Sequence, residues 1–287
     1  MANFFLTSEW REWIEKNLDR NCSTASMIAA MVSKDFDPVV AAECIATVAD
    51  GRKHSATSQL HPAKLSGTYQ REASRIAVSN EIRTRDRIVP VEMRMQRPDL
   101  LRLRGVLSQS ECEELIRRAS EKVKPSTTVD PETGENKVIA NRTSVGTYFH
   151  LEENDFIAML DRRLSDLVNW PIDQSEGIQI LNYRIGGEYK PHFDFFPPED
   201  AGSAGHMAKG GQRVGTIIIY LNEVEEGGET IFPEISLSIS PHPGDAIYFG
   251  YCNTLGQVDR LTLHGGNPVV RGEKWIATKW LRQFRRQ

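Results

Sequence analysis

Apolar residues recur at helical spacing over the first 50 residues of the chain, where three short helices are predicted. The candidate N-caps for these helices are Ser8 or Thr7, Ser23 and Asp37. Pro38 follows Asp37 at the first helical position, where a proline is favoured. We therefore predict a small helical bundle over 1–50, which is thin for independent stability. The three apolar stripes are Trp10, Trp13, Ile14 and Leu18; Met27, Ile28, Met31 and Val32; and Val40, Cys44, Ile45 and Val48.

The helical period is lost over 51–87, where the chain becomes polar and rich in turn residues. Polar residues run from Gly51 to Ser58, and the stretch from Pro62 to Gly67 begins and ends with a helix breaker. We predict a linker over 51–87 with one short helix around residues 71–78.

From residue 88 to 287 the pattern changes to alternating apolar and polar positions, which is typical of strands. A capping-box pattern at Ser108–Glu111 opens the first of two amphipathic helices in this region. The predicted elements are a strand around 91–95, helices over 108–123 and 153–168, and strands over 178–185, 189–195, 214–221, 230–232, 237–239, 246–249 and 274–281. This order favours a mainly β, α+β domain in which helices pack on antiparallel sheets that fold over as a sandwich or barrel.

Composition narrows the classes of protein that the chain can belong to. It has 287 residues, 39% of them hydrophobic, and 35 basic against 39 acidic residues give a net charge of −4, which argues against a broadly basic nucleic-acid binder. We find no apolar run of the roughly 18 residues that a membrane helix needs, and an N-terminus with Glu9, Glu12 and Glu15 does not read as a secretory signal. The four scattered cysteines predict reduced thiols and a cytoplasmic location.

The segment from Tyr189 to Phe195 carries the sharpest chemical feature, the H-x-D pair His192 and Asp194. On a strand both side chains point to the same face. Together with a second histidine they would form the facial triad of non-haem Fe(II) oxygenases, which leaves open positions on the metal. The pair alone is a weak signal, because a histidine held by a carboxylate in a satisfied core has the same pattern.

A second feature lies downstream, where His264 precedes a predicted strand that begins with Lys274. On that strand Lys274 shares one face with Ile276, Thr278 and Trp280. An unpaired buried ammonium is costly, so an anionic partner such as a metal-chelating dicarboxylate would explain the position. The alternative is an edge-strand lysine that reaches water through its flexible stem.

With these residues in view, the chain from Leu100 to Phe284 resembles the Fe(II)/2-oxoglutarate-dependent dioxygenases, and within them the prolyl 4-hydroxylase branch. The ordered set of His192-x-Asp194, His264 and Lys274 carries the resemblance. Shorter segments also match: Arg142-Thr-Ser, Leu181-x-Tyr183, Gly211-Gln-Arg213, Glu226-Gly-Gly-Glu-Thr230-x-Phe-Pro233 and Lys274-Trp-x-Ala-Thr-Lys-Trp280. Each of these motifs is weak alone, but their order along one chain makes the set specific.

The resemblance implies a double-stranded β-helix, or jelly-roll, with Fe(II), 2-oxoglutarate and O2 as reactants and ascorbate as reductant. It implies no catalytic residue beyond the metal ligands. Carried over by position, the metal ligands are His192, Asp194 and His264; the 2-oxoglutarate residues are Lys274, Tyr183 and Thr230; and the residues on the substrate side are Arg213, Tyr189 and Trp280. The glycine-rich segment 197–212 is predicted to form a mobile lid over the substrate.

The implied activity is hydroxylation of a C–H bond, most simply in prolyl residues of a peptide or protein, with release of succinate and CO2. The sequence leaves open a hydroxylase of a free amino acid such as proline or pipecolate. A non-catalytic binding scaffold of the same fold is the alternative of another class, and the intact motif set argues against it. We expect neither a nucleic-acid nor a membrane partner. The N-terminal helices could serve as a cap, a protein-interaction module or a homodimer surface.

Overall fold

The computed structural model describes residues 8–20, 22–34, 36, 38, 41–42, 44–46, 48–49, 69–130, 132–137 and 141–285. The chain divides into two compact units, Met1–Ser66 and Gly67–Gln287. The first unit contains helices α1 (Ser8–Asp19) and α2 (Thr24–Val32). In the described part of the chain no helix is both long enough and apolar enough to cross a membrane.

The apolar stripes predicted for the N-terminal helices supply most of the core of the first unit, but Val32, predicted to face inward, is exposed at the end of α2. Ser23 caps α2 by accepting a hydrogen bond from the Ser26 amide at 3.2 Å, as predicted. Thr7, Asp37 and Val40 lie outside the described residues. The buried core residues are Ile14, Met27, Met31, Phe36, Ala41, Ile45 and Val48.

The second unit begins well before residue 88, which corrects the predicted linker over 51–87. Its described part, from residue 69, contains strand β1 (Glu81–Arg83), which pairs with β2 (Ile88–Met95), and Ile76 is buried in the main core. No helix forms over 71–78; instead the Arg75 guanidinium stacks 4.1 Å from the Trp170 ring. Long-range packing of this kind holds a segment that has no periodicity of its own.

The described residues of the second unit form three further α-helices and fifteen further strands. The helices are α3 (Gln109–Ser120), α4 (Asp155–Val168) and α5 (Ser203–Met207). The strands are β3 (Asp99–Leu103), β4 (Lys124–Pro125), β5 (Thr128–Val129), β6 (Asn136–Lys137), β7 (Val145–Phe149), β8 (Ile178–Tyr183), β9 (Tyr189–His192), β10 (Arg213–Tyr220), β11 (Glu226–Gly227), β12 (Thr230–Phe232), β13 (Leu237–Ile239), β14 (Ala246–Gly250), β15 (His264–Gly266), β16 (Val269–Arg271) and β17 (Lys274–Arg282).

Two antiparallel sheets provide the frame of the unit. The larger has nine strands in the order β1-β2-β3-β14-β10-β17-β8-β7-β4, and the smaller has four in the order β13-β12-β15-β9. Strands β8, β14 and β17 are buried along their whole length, and the apolar faces of α3 and α4 belong to the same core. The predicted class, mainly β with flanking helices, is confirmed.

The N-cap residues determine where α3 and α4 begin. Both halves of the predicted capping box are present at α3: the Ser108 hydroxyl accepts from the Glu111 amide at 3.2 Å, and the Glu111 carboxylate accepts from the Ser108 amide at 2.7 Å. Helix α4 begins at Asp155 because the Asn154 side chain accepts from the Ile157 amide at 3.2 Å. The predicted loop 125–137 contains the short β5–β6 hairpin.

Candidate active site

One cavity of about 1080 Å³ opens in the second unit, and side chains of both sheets line it. All nine residues that the sequence singled out lie on its wall. They are Tyr183, Tyr189, His192, Asp194, Arg213, Thr230, His264, Lys274 and Trp280.

The two histidines and the aspartate come together through strand pairing in the smaller sheet. The antiparallel register of β9 and β15 sets His192 opposite His264. Nε2 of His192 lies 3.6 Å from one carboxylate oxygen of Asp194, and Nε2 of His264 lies 3.6 Å from the other. Strand β9 ends at His192, not at residue 195 as predicted, so Asp194 reaches the cluster from the turn that follows the strand.

Backbone carbonyls fix the tautomer of both histidines. Nδ1 of His192 lies 2.9 Å from the Lys190 carbonyl oxygen, and Nδ1 of His264 lies 3.0 Å from that of Thr262. Because a carbonyl oxygen only accepts, each Nδ1 carries the proton and each Nε2 keeps its lone pair for the shared centre. Burial lowers the pKa of His264 to about 4, helped by His192 and opposed by Asp194, so the ring is neutral near pH 7.

Asp194 is ionised, and a hydroxyl group donates a hydrogen bond to its carboxylate. Burial alone would raise its pKa, but His264, His192 and Arg213 bring the pKa well below the usual range. The Thr216 hydroxyl donates to one carboxylate oxygen at 2.7 Å, and the Tyr251 hydroxyl lies 3.1 Å from Thr216. Two imidazoles and one carboxylate, all within 4.8 Å of one another, fit Fe(II) as a facial triad.

Lys274 lies in the same cavity, on the wall formed by β17. Lys274 is the register partner of Tyr183 in the pairing of β17 with β8. Its ammonium lies 5.9 Å from the centre of the Tyr183 ring and 5.8 Å from that of the Tyr220 ring. The Thr230 hydroxyl, which accepts from the Tyr220 hydroxyl at 2.9 Å, lines the cavity with them. Strand β17 is interior to the nine-stranded sheet and Lys274 is 4% exposed, so the edge-strand alternative is wrong.

Arg213 and Trp280 form one side of the cavity, together with a residue that the sequence did not single out. The Glu176 carboxylate accepts from Nε and Nη2 of Arg213 at 2.8 and 3.0 Å. The guanidinium lies 3.9 Å from the Trp280 ring, and its Nη1 donates to the Asp194 carbonyl at 3.3 Å. Burial by itself lowers the pKa of Arg213, but Glu176 raises the pKa above its ordinary value.

Tyr189 lies directly against the metal cluster. Its ring stacks on the His192 imidazole at 3.5 Å, and the Arg142 guanidinium lies 4.8 Å from the same ring. Burial raises the pKa of Tyr189 to about 12, so the side chain is a neutral phenol near pH 7.

The segment 197–212, predicted as a lid, is closed at its base by Gln212. That side chain accepts from the Phe196 amide at 2.8 Å and donates to the Phe196 carbonyl at 2.6 Å. Asp200, Ser203 and Lys209 line the cavity, so the segment borders the site. Its movement during turnover stays a prediction.

Similarity to known proteins agrees with this geometry. Residues 178–282 match the model of the 2OG-Fe(II) oxygenase superfamily. The chain is 35% identical over 209 residues to "Prolyl 4-hydroxylase 5" of Arabidopsis thaliana, an alignment that covers 66% of this chain and 70% of that protein. The chain belongs to the prolyl 4-hydroxylase branch of the 2OG-Fe(II) oxygenase superfamily.

Two further relatives of this oxygenase bear on its fold. "Probable prolyl 4-hydroxylase 3" of Arabidopsis thaliana is 40% identical over 194 residues, and the match covers 61% of this chain and 66% of that relative, just under two thirds. A viral collagen prolyl hydroxylase from Paramecium Bursaria Chlorella virus-1, solved as a 2OG complex, is 30% identical with a TM-score of 0.51. That likeness covers 64% of this chain and 95% of the viral one. The antiparallel sheets are those of the double-stranded β-helix that the resemblance implied.

A substitution at Thr216 tests how the oxygenase holds its metal-binding carboxylate. Thr216→Val keeps the shape of the side chain and removes the hydroxyl that donates to Asp194. Loss of such an outer hydrogen bond weakens metal affinity about 10- to 100-fold. We expect Mn(II) titration calorimetry, with Mn(II) standing in for Fe(II), to show a Kd raised by that factor. An unchanged Kd would contradict a positioning role for the hydroxyl.

Binding of 2-oxoglutarate is expected to weaken above about pH 8. Burial lowers the pKa of Lys274 to about 8, only partly opposed by Glu229. The anionic cosubstrate favours the protonated ammonium, so each pH unit above the pKa of the free enzyme raises the Kd about tenfold, and below it the Kd levels off. Titration of the Mn(II)-loaded protein from pH 6.5 to 9.5 measures this; a flat profile would show that the charge of Lys274 is not used.

Proposed function

We propose that this protein is an Fe(II)- and 2-oxoglutarate-dependent dioxygenase that hydroxylates prolyl residues of a peptide or protein. The observation that carries the proposal is the joint presence, in one cavity, of the His192, Asp194 and His264 cluster and the buried Lys274. A protein that only binds a partner would not require two imidazoles with their Nε2 atoms directed at a shared carboxylate. It would not require a buried ammonium in the same cavity either.

Each group of residues has a separate task in this proposal. Iron, with 2-oxoglutarate and O2, supplies the oxidant for an unreactive C–H bond and releases succinate and CO2. His192, Asp194 and His264 would hold the metal. Lys274 would pair with the distal carboxylate of 2-oxoglutarate, and the hydroxyls of Tyr183 and Thr230 would hydrogen-bond to it.

The arginines of the cavity favour a peptide over a free amino acid. A free amino acid presents a carboxylate, which a buried arginine binds best through two parallel donors. In Arg213 the Nε and Nη2 donors are already taken by Glu176. Arg142 already donates to the Thr127 carbonyl and the Gln179 side chain, each at 3.0 Å. The cavity of about 1080 Å³ also exceeds what one amino acid fills beside 2-oxoglutarate.

The substrate side of the proposal rests on three side chains. Trp280 and Tyr189 are aromatic side chains on the cavity wall, and Arg213 contacts both the Trp280 ring and the Asp194 backbone carbonyl. The prolyl hydroxylase names of the relatives support the same substrate class. Ascorbate as reductant, a cytoplasmic location and a homodimer stay predictions from the sequence.

Succinate release from 2-oxoglutarate tests the proposal. Fe(II)-loaded protein is incubated in air with ascorbate and either a proline-rich peptide, the same peptide with alanine in place of proline, free proline or pipecolate. We expect succinate to rise with the proline-rich peptide alone. A rise with free proline or pipecolate alone would move the function to small-molecule hydroxylation. Binding of iron and 2-oxoglutarate without succinate under any condition would favour the scaffold alternative.

A further inference from the structure

A buried ion pair lies behind the cavity wall, on the face of β17 that turns away from the site. Lys279 is 2% exposed and Asp161 of α4 is 0% exposed. The Lys279 ammonium donates to one Asp161 carboxylate oxygen at 2.7 Å, and the other oxygen accepts from the Glu152 amide at 2.8 Å. Replacing a buried pair of this kind by apolar residues is often neutral or stabilising, so stability alone does not explain it.

The third contact of Lys279 leads towards the site. Its ammonium also donates to the Glu176 carbonyl oxygen at 2.9 Å. The Glu176 amide donates to the Trp280 carbonyl at 2.8 Å. Residue 176 is therefore tied to β17 at both its backbone amide and its carbonyl, in the short segment between the β-bridge of Ser175 with Leu281 and the start of β8.

The side chain of Glu176 organises the substrate side of the cavity. The Glu176 carboxylate accepts two hydrogen bonds from Arg213 and one from Arg282, the last at 3.1 Å. Arg213 in turn lies over the Trp280 ring. Arg282 donates to the His206 carbonyl in α5, so Glu176 also connects to the 197–212 segment.

We propose that Lys279 and Asp161 are positioning residues for substrate binding. The ammonium, oriented by Asp161, holds the backbone of Glu176, and Glu176 holds Arg213 against Trp280 on the substrate side. The inference rests on the proposed function, since it assigns the pair to recognition of the peptide and not to binding of metal or cosubstrate.

The test uses the double variant Asp161→Asn, Lys279→Met in the full-length chain. Asparagine can still accept from the Glu152 amide, and no buried charge is left unpaired, so the variant is expected to fold. Its only designed loss is the donor to the Glu176 carbonyl. We expect the peptide KM to rise about tenfold with kcat little changed, as for loss of one hydrogen bond from a charged group. The visible charge-transfer absorbance of the Fe(II)–2-oxoglutarate chelate is expected to be unchanged.

A matched control lies on the same helix. Arg163 of α4 is also buried in an ion-pair network, with Asp86 and Glu111 at 2.7 Å each, and it donates a further hydrogen bond to the Val106 carbonyl at 3.1 Å. Arg163→Met is expected to lower the melting temperature and leave the peptide KM at the wild-type value. A raised KM in both proteins, or a wild-type KM in the double variant, would overturn the positioning role.

A crystal structure of the double variant keeps this inference separate from the proposed function. We expect Arg213 to move away from the Trp280 ring, whatever the substrate is. An unmoved Arg213 would overturn the inference even if the wild-type protein hydroxylates the peptide. Failure of the wild-type protein to turn over any prolyl peptide would instead count against the proposed function.

Discussion

Replacing Lys274 with methionine is expected to raise the KM for 2-oxoglutarate about 100-fold or more. The Lys274 ammonium is buried on the cavity wall beside Tyr183 and Tyr220. In the Lys274→Met protein, the distal carboxylate of 2-oxoglutarate would therefore lack its buried, positively charged partner. Removing one partner of such a pair costs about 2–5 kcal/mol. Methionine has nearly the same length and volume, so the wall keeps its shape and the effect isolates the charge.

The Lys274→Met result is measured by succinate formation over a range of 2-oxoglutarate concentrations and by titration of the Mn(II)-loaded protein. Metal affinity without 2-oxoglutarate is expected to stay at the wild-type value, because Lys274 is not among the metal ligands. Lys124→Met removes an exposed lysine of the edge strand β4 and is expected to change neither quantity. A Lys274→Met protein with a wild-type KM would remove Lys274 from the 2-oxoglutarate site.

Asp194→Asn is expected to abolish both tight metal binding and turnover. The substitution keeps the shape of the side chain but replaces the one anionic ligand of the cluster with a neutral amide. Because loss of an outer-shell partner alone costs about 10- to 100-fold in metal affinity, loss of the charged ligand itself is expected to exceed that. We expect succinate formation to fall about 1000-fold or more. Calorimetry with Mn(II) gives the affinity, and a chromatographic succinate assay gives the rate.

The control for Asp194→Asn is Asp173→Asn, which removes a half-exposed carboxylate paired with Arg285. It is expected to keep wild-type metal affinity and rate. Substantial oxygen-dependent succinate formation by the Asp194→Asn protein would contradict the facial triad, whereas loss of metal binding in both proteins would point to a general defect in folding.

The parts of the fold that the sequence predicts well are those with local signals. Strands β12 and β13 have the predicted bounds, and β8, β10, β14 and β17 differ from them by one or two residues at their ends. The N-cap of α3 could be predicted because a capping box is a pattern of neighbouring residues. The position of the segment around Ile76 could not be predicted, since it depends on a strand pairing and a ring stack with residues distant in sequence.

The same division holds within the candidate site. The H-x-D pair, His264 and Lys274 belong to an ordered motif and could be found by spacing. Glu176 was missed because it lies in a short segment before β8 that carries no motif, and only the folded chain brings its carboxylate to Arg213. Thr216 and Tyr251 were missed for a related reason: each stands on or beside an apolar strand, where nothing marks a hydroxyl as a partner of Asp194.

Hydroxylation of prolyl residues by this oxygenase is tested by following the oxygen atom from O2 into the products. A proline-rich peptide is incubated with the Fe(II)-loaded protein, 2-oxoglutarate and isotopically labelled O2, and the products are analysed by mass spectrometry. We expect one labelled oxygen in a peptidyl hydroxyproline and one in succinate, in equal amounts. Labelled succinate with an unmodified peptide, or no labelled product from a protein that binds both iron and 2-oxoglutarate, would contradict this expectation.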